Sequence, residues 1–123
     1  MGRQNLKQLK LRNNKTILRK TYPFLNLVSR LPEESRDIVL EGTNGDKDVF
    51  KSIREIALNT QLGNLKLDKH LLREHMPYIK EITKVKTSQC TCGKRKKLIQ
   101  KGSGFLAAAI PILATIAYEL FKK

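Results

Sequence analysis

All but one of the acidic residues in this 123-residue chain fall between Glu33 and Glu81, and that confinement limits where a fold can form. Residues 24–83 carry nine Lys/Arg against ten Asp/Glu, whereas residues 1–23 and residues 84–104 each hold seven basic residues and no acid. The formal charge of +14 therefore resides on two arms and a short tail. Cationic segments of that kind suit a polyanion, because they can lie along phosphates without straining a folded centre. The centre, of roughly 60 residues, is close to the lower size limit for a self-sufficient core.

Within the centre the pattern is helical. Phe24, Leu27, Val28 and Leu31 recur at helical spacing, and after Pro32 so do Ile38, Val39 and Leu40. Pro32 suits a first helical position, Glu33, Glu34 and Asp37 lie near the positive end of that helix, and Gly42 ends it. A further helix is expected from Asp46 or Asp48 to about Thr60, with Val49, Phe50, Ile53, Ile56 and Ala57 on one face and Gly63-Asn64 as its stop. Asp68 then caps a segment carrying Leu71, Leu72, His75, Met76, Ile79 and Ile82, which Pro77 is expected to kink or split. Pro23 is expected to close the N-terminal arm, whose Leu6, Leu9, Ile17 and Leu18 are interrupted by Asn13 and Asn14. No period-two alternation persists.

The fold expected is all-α. A basic N-terminal arm (1–23) precedes a small bundle of three to four short helices (24–83), a basic, glycine-ended linker (84–104) and a hydrophobic C-terminal helix (105–123), with the basic arms disordered in the absence of a ligand.

Residues 105–121 are nearly all apolar and would extend about 26 Å as a helix, slightly less than the ~30 Å hydrocarbon core of a bilayer. Pro111 interrupts them, and Thr115, Glu119 and Lys122 form a narrow polar stripe. The segment therefore fits a tail anchor, an interfacial helix or a helix buried against the bundle. Phe105, Leu106, Ile110, Ile112, Leu113, Ile116, Leu120 and Phe121 are the residues that would meet a membrane or a capsid.

No catalytic constellation is visible, so a non-enzymatic protein is expected. Gly102-Ser103-Gly104 lacks the strand-to-helix elbow that would make its serine a nucleophile. Cys90 and Cys92 are too few for a disulfide framework and, with only His70 and His75 besides, make a poor zinc site, since those histidines lie about 140° apart around a helix. Surface thiols, reduced in the cytosol, or an intermolecular disulfide after oxidation are expected, with no metal or cofactor. With no Trp, four Phe and three Tyr, base stacking is also disfavoured. Backbone contact through Arg3, Lys7, Lys10, Arg12, Lys15, Arg19, Lys20, Lys94, Arg95, Lys96, Lys97 and Lys101 is the expected mode. The run 94–97 also fits a short nuclear-import signal.

The basic run, the glycine-rich hinge and the proline-containing hydrophobic end, read as Lys97-Leu98-Ile99-Gln100-Lys101-Gly102-Ser103-Gly104-Phe105-Leu106, resemble the precursors of the adenovirus minor core protein X (mu). They also resemble similar short products of Polinton or Maverick elements and adintoviruses, as does the stretch Ile53-Arg54-Glu55-Ile56-Ala57-Leu58-Asn59 with Gly63-Asn64. The resemblance implies a virion DNA-binding protein in the nucleus and particle interior, with double-stranded DNA as partner, and with a capsid protein and a maturation protease as further ones. Gln100-Lys101-Gly102-Ser103-Gly104 is similar to the sites that protease cuts, which would place the cut between Ser103 and Gly104. The acidic centre, Cys90 and Cys92 and the sparser arginine depart from adenovirus mu, and leave room for the helical middle to bind protein. The competing expectation is a tail-anchored or membrane-active protein whose arms adsorb to anionic lipid.

Overall fold

A computed structural model describes the backbone of residues 15–86 and 90–121 and the side chains of 16–86 and 90–115. Among the described residues there are six α-helices and no strand: α1 (Lys15–Ser29), α2 (Glu33–Glu41), α3 (Lys47–Gln61), α4 (Lys69–Lys84), α5 (Cys92–Lys101) and α6 (Ser103–Phe121). The all-helical class is as the periodicity predicts. Two of the boundary differences are large.

The centre of the domain is α3. Asp46 caps it, its side chain accepting from the Val49 N–H at 3.0 Å. At the other end Gly63 takes φ +85° while the Asn64 and Gly63 N–H groups reach back to the Asn59 and Thr60 carbonyls, a Schellman stop. Phe50, Ile53, Ile56 and Ala57 are fully or almost fully buried, and so are the polar Ser52, Asn59 and Thr60, because α1, α4, α5 and α6 all pack around this one helix. Burial of those polar groups is matched by hydrogen bonds: Asn59 and Thr60 donate to the Glu55 and Ile56 carbonyls, and the Ser52 and Thr21 hydroxyls lie 2.7 Å apart, joining α3 to α1.

The first difference is at the N-terminal side. Pro23 does not close a segment but sits inside α1, on its exposed side, and residues 15–23 are helical. Leu18 and Leu25, either side of the proline, are fully buried, and their packing offsets the hydrogen bond that Pro23 cannot make. Residues 1–14, the rest of the expected arm, lie outside the described residues. Pro77 likewise sits within an uninterrupted α4, and Pro32 is the N-cap of α2, not its first residue.

The second difference is that residues 92–101, expected as linker, are helix α5. Thr91 caps it by accepting from the Lys94 N–H at 3.1 Å, Leu98 and Ile99 enter the core, and Gly102 ends it. Cys90 is buried rather than a surface thiol, while Cys92 is exposed; both are free. From there α6 turns away at 68° and runs along α1, placing Phe105, Leu106, Ala109, Ile110 and Leu113 in the core.

Candidate nucleic-acid interface

Three arginines tie the helices together and are not presented to a ligand. Arg54 donates to the Val85 and Thr83 carbonyls at 2.7 and 2.9 Å and so caps the end of α4. Arg36 donates to the Leu31 carbonyl and to the Ser103 hydroxyl, each at 2.9 Å, linking α2 to the start of α6. Arg95 forks between the Gly45 and Cys90 carbonyls at 2.8 and 2.7 Å. Each pair of bonds uses the planar geometry of guanidinium, which a lysine cannot reproduce. Arg95, predicted to meet phosphate, is therefore an internal tie between α5 and the α2–α3 turn. That turn approaches closely: Gly45 has φ +77°, and a Cβ there would lie 2.8 Å from the Cys92 carbonyl oxygen.

What α5 does present is lysine. Lys94, Lys97 and Lys101 are exposed, and at i, i+3 and i+7 they fall within about 60° of one another around the helix. Lys96, half-buried, lies on another side. Open grooves of about 510 Å³ flank the lysine row on either hand. One, towards α2, is bordered by Asp37, Glu41, Lys97 and Lys101. The other, towards α4, is bordered by Glu81, Thr91, Gly93 and all three lysines, with Leu98 below. Lys101 Nζ lies 2.8 Å from Glu81 Oε1, so this cation has an internal partner at the edge of the groove.

The remaining predicted residues are scattered. Arg3, Lys7, Lys10 and Arg12 lie outside the described residues, as does the side chain of Lys15, whose backbone begins α1. Arg19 and Lys20 are exposed on α1, and Lys20 pairs with Asp48 at 3.1 Å. Among the residues expected to touch membrane or capsid, Phe105, Leu106, Ile110 and Leu113 face other helices and Ile112 is half-buried; the side chains of Ile116, Leu120 and Phe121 lie outside the described residues. Among the described residues, α5 is where predicted cations stand together.

The joint between α5 and α6 is also built rather than open. Tyr78 donates to the Leu98 carbonyl at 2.9 Å, and its ring covers Gly102, where a Cβ would collide with the hydroxyl and lie 2.9 Å from Cζ. Burial, with the Glu81 carboxylate second, pushes the Tyr78 hydroxyl far above its ordinary pKa, so it remains a donor. His75 and Tyr78 both pack on the Phe105 ring, at centroid separations of 6.2 and 5.7 Å. Ser103 is buried beneath Arg36, and the bond between Ser103 and Gly104 lies in the first turn of α6. An extended backbone at that bond requires the joint to open.

Sequence reasoning missed Glu81, Tyr78, Arg36 and Gly45 because each acts on a residue 20 or more positions away, beyond the reach of periodicity. The helix they surround did leave a signal: Thr91 as cap, a run of good helix formers and Gly102 as stop. No protein-family model, no curated protein and no solved structure matches this chain.

Proposed function

We propose that this protein is a non-enzymatic, sequence-independent DNA-binding protein of the minor-core type, made by a virus or virus-like mobile element. In this reading the helical domain carries α5 as a folded basic surface and the cationic N-terminal residues as a second contact. One observation carries it: the exposed row Lys94, Lys97 and Lys101 on a helix whose apolar residues, Leu98 and Ile99, are buried and so fix the row in place. Lys94 and Lys101 are about 10 Å apart along the helix axis, a length over which duplex DNA presents about six phosphates. Phosphates outnumber lysines, which suits binding without register or sequence preference. The net charge of +14 and the resemblance to mu-type precursors support the same reading.

The membrane-active alternative has less support. No single described helix is long and apolar enough to cross a membrane, although α5 and α6 through Thr115 pass that test jointly as a bent pair, and the first half of α6 is packed in the core. An interfacial helix needs its apolar side free, and α6 has Phe105, Leu106, Ile110 and Leu113 buried.

The test is binding of the full chain to a short random-sequence duplex across a salt series. With Arg95 engaged inside the fold, about eight phosphate contacts are expected, giving a slope of log affinity against log salt near −7. A slope shallower than about −3, equivalent to only about three contacts, overturns the proposal.

A further inference from the structure

The ion pair between Lys101 and Glu81 is set apart by its position. Ten acidic residues in the centre are available to neutralise lysines, yet within the groove between α4 and α5 the bordering groups are three lysines and one carboxylate. That carboxylate bonds the lysine at the C-terminal end of the row, at 2.8 Å, and both partners remain about half exposed, 57% and 43%. An exposed pair of this kind contributes little to stability and exchanges readily with solvent ions. A phosphate entering the groove can therefore take the place of the carboxylate on Lys101 without unpacking the domain.

The groove also favours a backbone chain over a flat surface. Its floor is Leu98, buried in the core, so no apolar side chain of α5 is free to enter a bilayer. At its upper end Thr91 and Gly93 begin α5, and nothing lies within 4 Å of the position a Gly93 Cβ would take, so a phosphate approaching Lys94 meets no side chain there. On the far side of the row, Asp37 and Glu41 border the second groove and repel the same polyanion. The lysine row therefore accepts phosphate from the α4 side.

We propose that the groove between α4 and α5 is the seat of the nucleic-acid backbone, and that Glu81 acts as an internal competitor, occupying Lys101 until a phosphate displaces it. The proposal rests on the DNA-binding reading above and adds to it a site and a built-in attenuation. Glu81 lowers affinity for isolated or sparsely charged anions, while a duplex, which brings several phosphates at once, overcomes it. Displacement also leaves a carboxylate beside the bound strand, so removing that charge should both tighten binding and steepen its salt dependence.

A mutant cycle on the full chain tests this, using the same random-sequence duplex at several salt concentrations and far-ultraviolet circular dichroism to confirm that each variant is folded. Glu81→Gln is expected to tighten binding about two- to fivefold, the size of an exposed ion pair, and to make the salt slope more negative by up to about one. Lys101→Gln should weaken binding only slightly in the native chain but clearly more in the Glu81→Gln background, a coupling that independent sites would not show. If the native chain binds with a steep salt slope yet Glu81→Gln changes nothing and the two substitutions add, the competitor and its groove are wrong while the DNA-binding reading stands. If the native chain shows no salt-dependent duplex binding but adsorbs to phosphatidylserine vesicles, both fail together.

Discussion

Tyr78 concentrates several functions of the fold in one side chain. Its hydroxyl donates to the Leu98 carbonyl, its ring occupies the space that a side chain at position 102 would need, and the same ring packs at a tilt against Phe105. The fold retains the protonated form, because burial raises its pKa and Glu81 adds to the rise. The folded state therefore keeps a proton that the unfolded chain gives up above pH about 10. The contribution of this group is complete below that pH and falls as pH rises through and beyond it. Urea unfolding measured from neutral to strongly alkaline pH should show a plateau followed by a loss of stability. Tyr78→Phe should lower the plateau by about 1 kcal/mol, the worth of one hydrogen bond, and make the alkaline fall shallower. An unchanged fall in the variant would assign it to other groups, of which Tyr22, also raised by burial, is the first.

At the scale of elements, α3 and α5 show what a sequence reveals and what it conceals. The existence of α3 was readable because its signals are local: an aspartate cap, an apolar stripe at helical spacing and a glycine stop at Gly63. By contrast α5 has two adjacent apolar residues, Leu98 and Ile99, which define no stripe, and it is held by partners distant in sequence, Gly45, Tyr78 and Glu81. Its charge reads as a solvated linker when the cap at Thr91 is overlooked. The same blindness applies to Pro23, which is a helix breaker by local rule and yet lies within α1 because Leu18 and Leu25 are both buried around it. Arg95 follows from this account of α5. Replacing it with methionine keeps much of the volume but removes two charge-assisted bonds to carbonyls, and should cost about 2–3 kcal/mol of stability by denaturant unfolding. Because Arg95 faces the α2–α3 turn, the salt slope of DNA binding by the folded variant should match that of the native chain. A slope reduced by about one would return Arg95 to the phosphate-contacting set.

For the whole molecule, the consequential finding is that the apolar end closes the domain. A chain expected to divide into arm, bundle, linker and tail instead has α1 and α6, the first and last described helices, lying against each other and around α3. The candidate site was legible as a basic cluster near residue 94, but the fact that it rides on a folded helix was not, since that depends on this long-range closure. Phe105, Leu106, Ile110 and Leu113 are each at most 1% exposed. Burying four such side chains stabilises a fold by about 6–12 kcal/mol as an upper figure, against a total of about 5–15 kcal/mol for a small domain. A chain ending at Ser103 also uncovers the side of α1 that packs against α6. It should therefore lose cooperative unfolding, with reduced helicity and a non-sigmoidal urea profile, even though every basic residue from Arg3 to Lys101 is still present. On the proposed function, DNA binding by this shortened chain should persist in weakened form, because its lysines still neutralise phosphate, but the proposed coupling between Glu81 and Lys101 should vanish with the geometry on which it rests. Retention of a sharp urea transition by the shortened chain would mean that α1–α5 form a self-sufficient domain, and that α6 is an accessory that can leave it intact.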